Sequence, residues 1–325
     1  MRPAIIGAGS WGTALAITAA RACGNATLFA HDAAKAADMQ ATRENSSRLA
    51  GIRLEDGITV TADPEMLRDA DCLLIATPAQ SLRSLMTVLS PFIARGTPAL
   101  IAAKGIERGT HLFMSDVLRQ AAPHAEPVCL SGPSFARDVA TGLPTAVTLA
   151  GPSLDHAAEI ASALSTPSFR IYASEDLRGA EIGGAVKNVL AIACGIAQGL
   201  GLGDSARAAL TTRGFAELMR AGAALGGKPA TLLGLSGLGD LLLTCASTQS
   251  RNFSLGLRLG EGLDPADPSG AVTEGAWTAP VILEMAREQN IEMPVVEAVA
   301  RVLDGTSTPR DEVTRLLSRP LKSES

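Results

Sequence analysis

The chain opens with a pattern that leaves little freedom of fold. An apolar strand over residues 3–6 runs straight into Gly7-Ala-Gly-Ser-Trp-Gly12. The next residues suit a helix to about Ala22, and a second strand lies near 26–30. The first glycine permits a tight turn, the second lets a pyrophosphate approach the backbone, and the third lets helix and strand pack closely. The helix N-terminus then offers amide groups and a favourable dipole to an anion. Taken alone, G-x-G-x-x-G is a weak signal. As the first strand–helix–strand unit of a chain, it specifies a dinucleotide-binding domain, with Gly7, Gly9 and Gly12 against the cofactor.

His31-Asp32, at the end of the second strand, should read the adenosine ribose. Asp32 favours a free 2′-hydroxyl, as in NAD. His31, Arg43 and Arg48 are near enough in sequence to neutralise the 2′-phosphate of NADP. The two cofactors stay open.

Alternation continues with strands near 58–60, 72–76, 99–103, 128–130, 146–150 and 169–172, and a helix over 154–164. Thr77-Pro78, Lys104-Gly-Ile-Glu107 and Ser131-Gly-Pro-Ser-Phe-Ala136 come after strands, where ligands sit in an open parallel sheet. Lys104 is therefore a site candidate, or else a solvated loop lysine. After Ala173 no period-two segment appears. Helices are expected near 177–199, 205–225, 237–247, 251–261, 279–290, 295–304 and 309–317. Pro280, Pro294 and Pro309 would fall in first turns and Thr308 at an N-cap. The expected fold is α/β, a Rossmann-type doubly wound, mostly parallel sheet over residues 1–173, followed by an all-helical domain over 174–325.

Composition narrows the partners. With 46% hydrophobic and 19% charged residues the chain reads as globular, and a net charge of -5 without a basic block argues against nucleic acid. Cys23, Cys72, Cys129, Cys194 and Cys245 include no C-x-x-C pair, which suggests reduced thiols in the cytoplasm and no structural zinc. The apolar first twenty residues are broken by glycines, unlike a signal peptide. The apolar run 182–197 is short for a bilayer span and carries Lys187, so no membrane insertion is expected.

That run, within Glu181-Ile-Gly-Gly-Ala-Val-Lys-Asn-Val-Leu-Ala-Ile-Ala-Cys-Gly195, holds the most informative lysine. Helical spacing puts Gly183, Gly184, Leu190 and Ala191 on the face of Lys187, so a flat ligand or another backbone could approach its amine. The alternative is a lysine whose amine snorkels to solvent. A nicotinamide enzyme that reduces a carbonyl needs a proton donor. His31 sits at the adenosine end, and His111, His124 and His156 all precede the helical region. Lys35 falls on a polar helix surface, Lys228 in a turn and Lys322 in the tail, which leaves Lys187 as the best acid.

A buried ammonium wants a carboxylate. Asp240, within Leu235-Ser-Gly-Leu-Gly-Asp-Leu-Leu-Leu-Thr244, is as isolated among apolar residues as Lys187. The two suggest a pair, with Asn188 also holding the amine, although Asp240 could instead cap a helix. Thr244 and Ser250-Arg251-Asn252 combine an arginine fork with hydroxyl and amide groups suited to phosphate. Equally, Ser250 could cap a helix and Arg251 be solvated. The role of Val272-Thr-Glu-Gly275 is not readable from spacing.

Together Gly7–Gly12, Lys104–Glu107, Ser131–Ala136, Glu181–Gly195, Ser236–Asp240, Arg251-Asn252 and Glu274-Gly275 resemble bacterial NAD(P)-dependent glycerol-3-phosphate dehydrogenase, in the family's order over nearly the whole chain. The resemblance implies reversible reduction of glycerone phosphate (dihydroxyacetone phosphate) to sn-glycerol 3-phosphate for phospholipid synthesis. It places Lys187 at the general acid/base position. Lys104, Gly132, Ser134, Asp240, Ser250, Arg251 and Asn252 fall at substrate positions. Ser10, Trp11, His31, Arg48, Lys104, Ala136, Arg251, Val272 and Glu274 fall at cofactor positions. A homodimer is expected. The loop Asn45-Ser-Ser-Arg-Leu-Ala-Gly51 departs from the family, which often has tyrosine where Arg48 stands and proline where Ala50 stands. Two rivals are a dehydrogenase of the same architecture for another hydroxy acid, and a nucleotide sensor without turnover.

Overall fold

The computed structural model describes residues 1–262, 264 and 273–320, so Val272 and Lys322 lie outside the described residues. Eight strands, β1 (Pro3–Ile6), β2 (Ala26–Phe29), β3 (Ile58–Thr61), β4 (Cys72–Ile75), β5 (Pro98–Ile101), β6 (Glu126–Ser131), β7 (Thr145–Ala150) and β8 (Phe169–Ser174), form one sheet. Their order is β3-β2-β1-β4-β5-β6-β7-β8. All neighbours run parallel except β6 and β7, which are antiparallel. The order turns about between β1 and β4, which opens the crevice where such sheets take ligands.

Helices α1 (Ser10–Cys23), α2 (Ala33–Thr42), α3 (Ser46–Leu49), α4 (Leu82–Leu89), α5 (Met114–Ala121), α6 (Ala136–Thr141) and α7 (Leu154–Leu164) flank the sheet. Strand side chains alternate between faces. Ile5, Leu74 and Leu100 pack with α1 and α7 residues in one core, while Ile6, Ile75 and Ile101 pack with α4 and α5 residues in another. Both faces are therefore buried, which explains why these strands are apolar at every position.

Beyond the sheet region the described elements are all helices: α8 (Leu177–Gly199), α9 (Gly203–Ala224), α10 (Pro229–Leu233), a π-helical turn (Leu235–Gly239), α11 (Asp240–Thr244), α12 (Arg251–Gly260), α13 (Glu274–Glu288), α14 (Pro294–Leu303) and α15 (Pro309–Leu317). Helices α9 to α14 and the π turn surround α8, which is buried from Gly179 to Ala197, and α15 packs on α14. At 23 residues α8 spans the expected 177–199 and extends past the apolar run 182–197 at both ends. By length and composition it would cross a membrane, yet its apolar window is wholly buried inside the fold. Against it lies α12, closely enough that a Cβ on Gly195 would sit 2.1 Å from the Phe253 carbonyl, and one on Gly256 2.0 Å from the Ile192 carbonyl. Glycines at both places are what let the backbones meet.

Two expected helices differ. The segment expected as one helix over 237–247 is a π turn leading into α11. Helix α13 starts at Glu274, so Pro280 stands in its interior and not in its first turn. An early start is possible because the Gly275 N–H is satisfied from outside, by Asn252 Oδ1 at 2.9 Å. Such a partner is invisible to local propensity.

Candidate active site

Three elements converge where the carboxyl edge of the sheet meets α8. From α8, Lys187 is only 7% exposed. Its Nζ lies 3.0 Å from Asp240 Oδ1 and donates to Thr244 Oγ1 at 2.9 Å. The Thr244 hydroxyl donates in turn to the Asp240 backbone carbonyl at 2.6 Å, so its lone pairs face the ammonium. From the loop after β5, Lys104 Nζ reaches Asp240 Oδ2 at 2.6 Å and the Gly132 carbonyl at 3.1 Å. One buried carboxylate thus bridges two lysines, where the spacing of residues suggested a simple pair.

The glycines of α8 make this approach possible. A Cβ on Gly183 would lie 2.5 Å from the Ser236 carbonyl, and one on Gly184 would lie 3.3 Å from Lys104 Cγ and 2.9 Å from Ser131 Oγ. The first seats the π turn that carries Asp240 and the second seats the Lys104 stem. A π turn inserts a residue into helical winding and so re-aims the next helical turn. Asp240 begins α11 without a capping bond from its side chain, which is spent on the lysines.

Burial pushes the Asp240 carboxyl up, but the ammonium groups of Lys104 and Lys187 outweigh burial and hold it below its ordinary value. Burial lowers Lys187 to about 8; Asp240 opposes the fall and the Lys104 charge adds to it. An ammonium with that acidity gives up a proton near neutral pH and regains it readily, the property a general acid/base requires.

Asn188 faces elsewhere. Its Nδ2 donates to the Lys104 carbonyl at 3.1 Å and the Gly184 carbonyl at 3.2 Å, and its Oδ1 accepts from Asn252 Nδ2 at 2.9 Å. Its amide therefore fixes the Lys104 main chain instead of holding the Lys187 amine. Asn252, buried, joins Asn188 to the first turn of α13. Ser250 caps α12, accepting from the Phe253 N–H at 3.2 Å, and Arg251 beside it is exposed. The Glu274 carboxylate takes the Ala79 N–H at 2.9 Å, joining α13 to the loop after β4. Burial raises its pKa, opposed by the Ala79 N–H and the Arg251 charge. Ser134 Oγ donates to the Gly132 carbonyl at 3.1 Å. Gly132 adopts φ +141°, and a Cβ there would stand 2.9 Å from Val147 Cα.

The turn after β1, a strand separated from β5 only by β4, is a cradle for an anion. Gly7 adopts φ +111°, and a Cβ on Gly12 would lie 1.8 Å from the Gly7 carbonyl. Gly9 caps α1 without any side-chain bond, leaving first-turn amides open to a phosphate. These residues fit a dinucleotide pyrophosphate. Ser10 Oγ donates to the Arg48 carbonyl at 2.7 Å, while the Arg48 side chain is exposed, as is His31. Trp11 packs partly buried on the sheet core, and Ala136 opens α6.

Asp32 caps α2 through the Lys35 N–H at 3.1 Å. Lys35 itself is not a free surface lysine: its Nζ donates to the Ala8 carbonyl at 3.1 Å, inside the glycine turn. Asn45 donates to the same carbonyl at 3.1 Å and to Thr13 Oγ1 at 2.7 Å. In the sequence Lys35 carries only a helical position one turn beyond Asp32, and Asn45 stands at the head of the loop Asn45–Gly51.

A family model for the N-terminus of NAD-dependent glycerol-3-phosphate dehydrogenase matches residues 3–165, and one for its C-terminus matches residues 176–314. The chain is 56% identical to a glycerol-3-phosphate dehydrogenase (NAD(P)+) of Bradyrhizobium diazoefficiens, covering 99% of this chain and 98% of that one. It is 52% identical to the protein of that name from Parvibaculum lavamentivorans, over 99% and 97%. A crystal structure of glycerol-3-phosphate dehydrogenase from Coxiella burnetii superposes with a TM-score of 0.92 at 37% identity, covering 98% and 99%. Through both halves and nearly its full length, the chain belongs to the NAD(P)-dependent glycerol-3-phosphate dehydrogenase family of oxidoreductases.

Proposed function

We propose that the Lys187–Asp240–Lys104 cluster is the reaction centre for reversible conversion of glycerone phosphate to sn-glycerol 3-phosphate, with Lys187 as general acid/base. The observation that carries this reading is a buried lysine with acidity near neutrality, held 3.0 Å from a buried carboxylate. When bound, the nicotinamide cofactor supplies or accepts the hydride. In the reducing direction Lys187 gives its proton to the substrate oxygen, and Asp240 with Thr244 keeps the amine aimed. Lys104 adds a second positive charge near the developing alkoxide. Ser250, Arg251 and Asn252 anchor the phosphate, and that remote binding energy fixes the geometry of the carbonyl. Gly132 and Ser134 line the substrate side.

Gly7, Gly9, Ser10, Trp11 and Gly12 would hold the pyrophosphate, with His31 and Arg48 at the ribose end, and Ala136, Arg251 and Glu274 along the rest. Residues 1–173 would serve the cofactor, and 174–325 the substrate and a homodimer contact. Five free cysteines support a reducing, cytoplasmic setting, with the product feeding phospholipid synthesis.

The test is loss of reduced-nicotinamide absorbance with glycerone phosphate, run with NADH and NADPH side by side. Turnover is expected, and the ratio reports whether Asp32 or the basic neighbours control the ribose site. Cofactor binding without turnover on this substrate would refute the assignment of substrate.

A further inference from the structure

Glu181 lies on α8 ahead of Lys187 and takes no part in the contacts of the reaction centre. It is buried, and its oxygens accept from the Ser115 N–H at 2.7 Å and the Ser115 hydroxyl at 2.9 Å, with Arg178 Nη1 at 3.4 Å. Ser115 is the second residue of α5, a helix whose own N-cap, Phe113, provides no side-chain bond. A carboxylate from a distant helix therefore does the capping, at the end where unpaired amides favour negative charge. Arg178 also reaches Asp116 Oδ2 at 2.7 Å and lies over the Phe113 ring at 4.2 Å, so the whole entry to α5 is tied to α8.

The loop that starts at Lys104 leads into α5. Between Lys104 and Ser115 this loop is a stiff body, not a tether. The Glu107 N–H bonds the Leu112 carbonyl at 2.9 Å, and the His111 N–H bonds the Glu107 carbonyl at 3.1 Å. Gln80 brackets it through the Ile106 carbonyl at 2.8 Å and the Arg108 N–H at 3.1 Å. Arg83 grips Glu107 with two bonds of 2.8 Å. A displacement at Ser115 is therefore carried through to Lys104. At the near end, Asn188 holds the Lys104 carbonyl.

Glu181, Gly184 and Asn188 recur at i, i+3 and i+7 and so share one face of α8. The outer two make the bonds, and the glycine between them seats the Lys104 stem. We infer that Glu181 is a positioning residue for Lys104: α8 grips the loop at both ends, through Glu181 at Ser115 and Asn188 at Lys104, and this sets the spacing of Lys104, Asp240 and Lys187. The inference rests on the reading of Lys104 as a substrate-site residue. Burial also raises the Glu181 carboxyl to about 7, against the pull of Ser115 and Arg178, so the acceptor is held in place at a cost that an idle side chain would not carry.

The experiment is steady-state kinetics of the full chain, with glycerone phosphate varied at saturating NADH and NADH varied separately. In Glu181→Ala the KM for glycerone phosphate rises roughly tenfold, less than the 10²-fold that a 1 Å misplacement can cost. The KM for NADH stays within about twofold, and Glu181→Gln, which keeps an oxygen for the Ser115 N–H, returns to within about threefold of wild type. A purely structural role would lower Vmax through inactive protein while leaving KM unchanged, and that result overturns the inference. Should the alanine variant not fold, Ser115→Ala, which removes the hydroxyl bond and keeps the N–H bond, raises the same KM by a smaller factor, and an unchanged KM there overturns the inference. A Lys104→Ala background separates the two claims. If Glu181→Ala adds nothing further there, Glu181 acts through Lys104; an undiminished extra effect contradicts it. A Lys104→Ala variant with unchanged KM removes the underlying reading of Lys104 instead.

Discussion

The Lys187 ammonium and the Asp240 carboxylate stand 3.0 Å apart, both buried, and the second oxygen of Asp240 holds Lys104. Removing the shared negative charge leaves two ammonium groups facing each other in a dry site. Asp240→Asn should therefore push Lys187 further down and move the pH midpoint of the reduction rate to lower pH by about one unit or more. Breaking a buried ion pair on one side should also cost on the order of 3–5 kcal/mol of stability, read by denaturant unfolding.

The acidity of Lys187 gives the two reaction directions opposite pH dependences. Reduction needs the ammonium, which is present below about 8, so turnover should fall as pH rises through that value. Oxidation of glycerol 3-phosphate needs the free amine and should rise through the same region. Rate profiles in both directions check this, and two profiles of the same sign would contradict it.

Glu217 predicts a stability effect away from the site. From α9 it accepts the Val295 N–H at 2.8 Å and the Val296 N–H at 3.2 Å, capping α14, and burial raises its carboxyl to about 7. The folded chain thus holds this proton more tightly than the unfolded chain, whose carboxyl titrates near 4.5. Its contribution is greatest below that value, declines as pH rises towards 7, and is level above. Glu217→Gln should flatten the decline of the thermal midpoint between pH 5 and 8, measured by calorimetry.

Gly195→Ala should destabilise the helical region. The new methyl would lie 2.1 Å from the Phe253 carbonyl, and backbone cannot give way as a side chain can. Overpacking of this kind costs about 1–3 kcal/mol, or more where backbone must shift. An unchanged unfolding midpoint would contradict the close approach of α8 and α12.

The features legible in the sequence obey local rules. Glycine spacing after β1, alternation of apolar runs and the lone lysine in an apolar helix each carry their meaning within about twenty residues. All eight strands, and helices α1, α7, α8, α9, α12, α14 and α15, lie within about two residues of where those rules put them, while α2 to α6 and α10 are not readable that way. Partnerships between distant segments were not legible. Asp240 could be matched with Lys187 by elimination, but nothing local says that Lys104 shares it. Asn188 sits next to Lys187 in sequence, yet helical geometry turns it about a hundred degrees away, to the Lys104 carbonyl. The carboxylates of Glu181 and Glu217 look like ordinary helix residues until α5 and α14 are placed against them. The start of α13 depends on Asn252 in another helix, and the glycines of α8 and α12 gain their meaning only from facing each other.

The central claim is that Lys187 moves the proton, and the most direct test is turnover of Lys187→Ala with glycerone phosphate and reduced cofactor. The account predicts a loss of about 10²-fold or more in kcat, with the dissociation constant of the reduced cofactor, from fluorescence titration, little changed because Lys187 has no part in the glycine cradle after β1. Turnover equal to wild type in a folded variant would contradict it.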